Sequence, residues 1–263
     1  MLELLALPAG AGADTRVPLI FVHGAYVGAW CWAEHFLPWF AGRGHPVYAL
    51  SLRGHGASAG RERLDEFGLA DFADDLGSAL EGLERAPVLV GHSMGALVVQ
   101  KYLERNPGGA RAAALFCPVP PFGILASSFL LALRHPGLFA EINVLAFGGR
   151  ASRAALQQAL FAGPVEAERL ERYFARMQPE SRRAILDMSG WGLPQPWRTR
   201  LLDTVVIGAE RDVLISPELA QTTARLLGAD YRTLPGLGHA VMLETGWRLA
   251  AEALADWLDV RRT

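Results

Sequence analysis

The sequence predicts an α/β fold: a mostly parallel central sheet with helices on both faces and a helical insertion. Three observations predict it. Short apolar runs of strand length recur along the chain, helical patterns alternate with them, and one long stretch, residues 118–191, breaks that rhythm.

Taken in order, Leu2–Leu7 alternates loosely and is expected to be an edge strand. Val17–Val22, Pro46–Leu50, Pro87–Val90, Ala112–Phe116 and Thr204–Ile207 read as strands covered on both faces, and Tyr231–Leu234 as a last strand. Between them, Asp65 to Leu83 sets Phe72, Leu76, Ala79, Leu80 and Leu83 on one helical face. Ala96 to Glu104 reads as a helix that stops before Asn106-Pro107. Ser216-Pro217-Glu218 supplies an N-cap and a proline for the first turn of another helix, which Gly228 should end. Thr245 is expected to cap a final helix running to about Val260. Residues 118–191 show no strand pattern. They carry three or four helical patterns, among them Ser152–Phe161 and Val165–Met177, and a stretch this long is not expected to be a structureless loop. The expected organisation is a core of residues 1–117 and 192–263 with a helical cap, or lid, of 118–191.

The chain has 263 residues, 51% of them hydrophobic and 20% charged, with a net charge of −2. Such a balance fits an ordinary globular protein and offers nothing to a phosphate backbone, so no nucleic-acid partner is expected. Cys31 and Cys117 are too few for a disulfide framework or a zinc site and are expected as free thiols in a reducing compartment. The N-terminal apolar run Leu4–Leu7 is broken at Pro8 and lacks a basic flank, so it is not read as a signal peptide. Phe122 to Leu133, the longest apolar stretch, is too short to span a bilayer. A cytoplasmic monomer or homodimer is expected.

Gly91-His92-Ser93-Met94-Gly95 carries the chemistry. It matches G-x-S-x-G, it follows an apolar strand and it opens a helix. That context puts Ser93 on a tight strand-to-helix turn, as a nucleophile facing the helix's free N–H groups. A serine hydroxyl needs a base and an acid to orient that base. On a strand–turn–helix scaffold of this kind they follow in the order acid, then histidine. Two histidines lie downstream. His135 sits in the insertion beside Pro136; His239 sits in the glycine-rich loop after the last strand and is preferred. The acid should follow the preceding strand, where Glu210 and Asp212 are both available. Asp212 is preferred because Val213-Leu214-Ile215 would bury it. The oxyanion donors are expected from Met94 N–H and from the early loop His23-Gly24-Ala25-Tyr26, with Ala25 the first choice and Tyr26 the alternative. His23 and His92 are read as structural. Tyr26, Trp30, Met94, Phe122, Phe129, Trp191, Ile215 and Met242 are expected to line an apolar substrate pocket.

These residues resemble the α/β-hydrolase superfamily over nearly the whole chain. The resemblance rests on His23-Gly24-Ala25, Arg53-Gly54-His55-Gly56-Ala57-Ser58, Gly91 to Gly95, Gly208 to Asp212, and Gly238-His239, in that order. His23 to Trp32 looks like the plant-type small-ester esterases and hydroxynitrile lyases and their bacterial relatives, in which the alanine of His-Gly-Ala supplies an oxyanion N–H. The resemblance implies the α/β-hydrolase fold, a Ser93–His239–Asp212 triad, a small to medium hydrophobic ester as substrate, and neither metal nor organic cofactor. The plant lyases depend on a lysine near the base, whereas the only lysine here is Lys101, on the helix after Ser93; cyanohydrin cleavage is therefore not expected. Amide, lactone or carbon–carbon bond hydrolysis, acyl transfer and perhydrolysis use the same triad and remain open, as does a ligand sensor that keeps the fold without turnover.

Overall fold

β1 (Glu3–Leu7), β2 (Leu19–Val22), β3 (Val47–Ser51), β4 (Val88–His92), β5 (Ala112–Phe116), β6 (Thr204–Ala209) and β7 (Asp230–Leu234) join in one sheet. Its order is β1-β3-β2-β4-β5-β6-β7, parallel throughout except for β1, which runs antiparallel to β3 at the edge. The computed structural model describes residues 1–10, 16–146, 148–198 and 202–261. Among them no helix is long and apolar enough to cross a membrane.

The strand sequences are apolar at successive positions because the sheet is covered twice. In β2, Leu19 and Phe21 join one core while Ile20 and Val22 join the other; β4, β5 and β6 divide the same way. The first core lies under α1 (Trp30–Ala33), α2 (Phe36–Ala41) and α11 (Trp247–Val260), with Trp32, Phe36, Phe40 and Trp257 as its large side chains. The second lies under α3 (Leu69–Leu80), α4 (Met94–Arg105) and α10 (Pro217–Leu227). The short helices α1 and α2 carry aromatic residues of modest helix propensity and have no expectation behind them. Burial of those rings, not propensity, holds them.

Several expected helix boundaries shift, among them the end of α3, which falls at Leu80 and leaves Leu83 beyond the helix. The helix expected over 65–83 is two pieces: a 3₁₀ stretch, Arg61–Glu66, and then α3 from Leu69. The break falls at Gly68, whose N–H donates to the Asp71 carboxylate at 2.9 Å, while Leu69 N–H donates to Asp187 at 3.0 Å. At the other end α11 is capped by Gly246, not Thr245, and begins at Trp247. α10 runs from Pro217 to Leu227 and ends at Gly228 as expected.

Between β5 and β6 the described residues hold no strand. They form α5 (Leu125–Arg134), α6 (Pro136–Ala146), α7 (Arg153–Leu160), α8 (Ala167–Arg176) and α9 (Arg182–Leu186), more helices than the sequence pattern suggests. Ser152 caps α7, its side chain accepting from Ala155 N–H.

Candidate active site

All the site residues sit beyond the carboxyl ends of the parallel strands, where an open α/β sheet places its ligand crevice. Ser93 follows β4, Cys117 follows β5, Asp212 follows β6 and His239 follows β7. Ser93 has φ 51° and ψ −116°, a conformation that costs a non-glycine residue on the order of 1–3 kcal/mol. Its surroundings enforce it. Ser93 N–H donates to the Phe116 carbonyl at 3.0 Å, and Gly95 passes so close to β2 that a β-carbon there would strike the Val22 and His23 carbonyl oxygens. Only a hydrogen at position 95 lets α4 start directly against the sheet.

His239 Nε2 lies 3.0 Å from Ser93 Oγ, and His239 Nδ1 lies 2.7 Å from Asp212 Oδ2. The other Asp212 oxygen accepts from Leu214 N–H at 2.8 Å and Ile215 N–H at 2.9 Å, so the apolar residues that follow Asp212 also orient it. Glu210 faces the other way: its carboxylate accepts from Gly236 N–H near the surface. His135 lies at the junction of α5 and α6. Cys117 was not anticipated at this centre. Its sulfur, Asp212 and His239 bring their polar atoms within 4.8 Å of one another. Burial first, and the Asp212 carboxylate second, hold the Cys117 thiol well above its ordinary range, so it stays protonated and donates to Asp212. Both cysteines are free and buried.

His92 donates from Nε2 to the His239 carbonyl at 2.9 Å and packs its ring 4.8 Å from that of His239. Burial, followed by the neighbouring His239, keeps it far below the usual imidazole range and neutral. His23 is neutral as well, pushed down to about 3 by burial and then by His55. Because His23 Nε2 accepts from Leu52 N–H at 3.0 Å, its proton is on Nδ1, which donates to the Gly24 carbonyl at 2.7 Å. That carbonyl and Ala25 N–H belong to one trans peptide, so fixing one aims the other to the opposite side. Met94 N–H belongs to the open first turn of α4. Tyr26 N–H, the alternative oxyanion donor, is engaged elsewhere, donating to Glu180 Oε2 at 3.1 Å.

Ser93 and His239 border a chamber of about 200 Å³. Its walls include Tyr26, Trp30, Met94, Ile215 and Met242, together with Leu131, Leu160, Phe161 and Phe174 from the segment after β5. Met177 and Met188 also line it. Three expected wall residues lie outside. Phe122 is 39%, Phe129 68% and Trp191 80% exposed. α5 and the residue before it turn Ile124, Ser127, Ser128 and Leu131 toward the chamber, which leaves Leu125, Phe129 and Leu133 exposed on the opposite face. Phe122 precedes α5 and faces outward; near Trp191, Met188 is the residue that points in.

A profile of the alpha/beta hydrolase family matches residues 19–256. Methyl jasmonate esterase 1 of Vitis vinifera is 33% identical over 111 residues, 40% of this chain and 41% of that protein. Monoacylglycerol lipase of Mycolicibacterium smegmatis is 25% identical over 262 residues, covering 93% of this chain and 89% of the other. The matched segments span about half the length of the first plant relatives. Among solved structures, a bromoperoxidase from Bacillus anthracis superposes with a TM-score of 0.75 at 20% identity, covering 98% of this chain and 96% of the other. With the profile spanning the sheet from β2 to α11, and a serine, an acid and a histidine following its strands in that order, the chain belongs to the alpha/beta hydrolase family.

Proposed function

We propose that the protein is a carboxylesterase that cleaves small to medium hydrophobic esters through an acyl-enzyme on Ser93. The observation that carries this reading is the unbroken relay from Ser93 Oγ through His239 to Asp212, 3.0 and 2.7 Å, at the mouth of an apolar chamber. Relatives named as esterases and a lipase support hydrolysis of esters in general.

In this reading Ser93 Oγ attacks the ester carbonyl while His239 Nε2 takes its proton. Asp212 keeps the other imidazole proton on Nδ1 and stabilises the imidazolium. Ala25 and Met94 N–H groups hold the oxyanion, each such donor being worth roughly 3 kcal/mol. As the tetrahedral species collapses, His239 returns the proton to the leaving alkoxide, which departs as alcohol. Water, deprotonated by His239, then attacks the acyl group and releases the acid and free Ser93. The acyl chain lies among Leu131, Leu160 and Phe174. An apolar cavity of roughly 150 Å³ admits a benzene ring, so a chamber of about 200 Å³ fits a short or medium acyl group or a single aryl ring. Residues 118–191 act as the cap that closes over it.

The test is burst and steady-state hydrolysis of p-nitrophenyl esters of increasing chain length, with the native chain beside Ser93→Ala. The native chain is expected to show a burst of one product per site and a preference for short to medium acyl groups. Ser93→Ala should lose turnover on the order of 10⁴-fold or more. A folded native chain that hydrolyses none of the series overturns the ester reading.

A further inference from the structure

Glu180, in the turn between α8 and α9, is a buried carboxylate far from any sequence motif. Its Oε2 accepts from Tyr26 N–H at 3.1 Å and faces His55 Nε2 at 3.0 Å, while its Oε1 accepts from Ser181 N–H at 2.7 Å. Both side chains of the His55–Glu180 pair are fully enclosed. The other nitrogen of His55 faces the Arg53 carbonyl at 3.1 Å. A carbonyl can only accept, so Nδ1 carries a proton, and the contact between Nε2 and the carboxylate needs a second one; the pair together is neutral and keeps both protons.

The residue this pair grips is Tyr26, a non-glycine residue at φ 66° in the loop that also holds Ala25. Such a conformation persists only where neighbours impose it. Here they do so from both sides, since Gln178 N–H donates to the Tyr26 carbonyl at 2.9 Å while Glu180 takes its N–H. The peptide before it is pinned by His23 through the Gly24 carbonyl. At Gly24 the loop runs so close to the nucleophile that a β-carbon would lie 3.1 Å from Ser93 Cβ. Ala25 therefore sits between two anchored peptides, and one anchor comes from the end of the helical insertion.

We propose that Glu180, balanced by His55, is a positioning residue for the oxyanion hole: it holds Tyr26 so that Ala25 N–H stays aimed at the oxyanion, and the hole is complete only when segment 178–181 is docked. The proposal rests on the ester-hydrolase reading of Ser93. An anchor of this kind acts on the tetrahedral state more than on the bound ester, so its loss lowers kcat and spares KM.

The test compares Glu180→Gln, Glu180→Ala and His55→Gln with the native chain. Each is measured for kcat and KM on p-nitrophenyl butyrate, for affinity toward butylboronic acid, whose serine adduct places an oxygen in the hole, and for thermal midpoint. Glu180→Ala should lose about 10- to 100-fold in kcat, with KM changed less than about threefold and boronate affinity falling in step with kcat. Glu180→Gln keeps an acceptor for Tyr26 N–H and should recover part of both. Unchanged kcat and boronate affinity in all folded variants, whatever their thermal midpoints, overturn the proposal, as does an effect confined to KM. If Glu180→Ala does not fold, the two glutamine variants carry the comparison. A native chain that binds the boronate but turns over no ester overturns the ester reading instead, and the boronate affinities alone then decide the role of Glu180.

Discussion

At Asp212 the two carboxylate oxygens have separate partners: the backbone of Leu214 and Ile215 holds one, and His239 Nδ1 faces the other. Asp212→Asn would keep the backbone bonds but turn an NH₂ toward Nδ1. The imidazole would then carry its proton on Nε2, where it cannot take one from Ser93. We expect kcat to fall on the order of 10⁴-fold with KM and thermal midpoint nearly unchanged, measured by ester kinetics and thermal unfolding; loss of less than tenfold would show that Asp212 does not set the tautomer. Ser93, Asp212 and His239 were readable because each chemical requirement leaves a local mark: a glycine-flanked serine after a strand, an acid followed by apolar residues, a histidine in a glycine-rich loop. Glu180 leaves none. Its partners lie 125 and 154 residues away, and nothing in its own neighbourhood predicts burial. Cys117 likewise becomes a partner of Asp212 only because β5 and β6 are neighbours in the sheet.

At the scale of elements, α4 and β2 meet through position 95. Gly95→Ala adds one carbon where two backbone carbonyls already stand, and neither can move without displacing β2 or the turn at Ser93. We expect a loss of about 3 kcal/mol or more of stability, read as a lower urea midpoint or as failure to accumulate soluble protein. A midpoint equal to that of the native chain would mean the helix has room to retreat. The strands and α4, α7 and α10 were legible from periodicity and caps. α5 shows the limit of that approach. Its apolar stripe Leu125, Phe129 and Leu133 is the exposed side, while the side that carries Ser127, Ser128 and Leu131 turns to the chamber, the reverse of what apolar spacing selects. α1 and α2 were missed for the opposite reason, because their aromatic residues are buried by the sheet and not by any pattern of their own.

For the molecule as a whole, buried histidines shape the dependence of stability on pH, and burial lowers His45 as it lowers His23 and His92. His23, lowered to about 3, and His92, lowered well below its ordinary value, are neutral in the folded chain, whereas both titrate near 6.5 once unfolded. Below that value the unfolded chain binds more protons, so each costs about 1.4 kcal/mol of stability per pH unit as the pH falls. His55 has the opposite sign. Burial lowers it, but the Glu180 carboxylate and hydrogen bond outweigh burial and the repulsion from Arg61, and its value is raised. Its contribution is complete below 6.5 and is lost as the pH rises through the raised value. Stability should therefore fall as the pH drops below about 6.5, and His92→Asn should flatten the acid side by about one proton, as urea midpoints across roughly pH 4.5 to 8 would show; an unaltered acid side would mean that His92 is not the neutral buried group described above. The chamber carries a consequence of its own. The chain has five methionines, and every one after Met1 (Met94, Met177, Met188 and Met242) lines the cavity beside Ser93. Thioethers bend to fit acyl groups of different shapes, but they are also the side chains that peroxide converts to polar sulfoxides. An oxidant small enough to enter would turn a dry wall into a wet one from the inside, so the same thioethers that give the chamber a pliable wall would also let oxidation change its polarity.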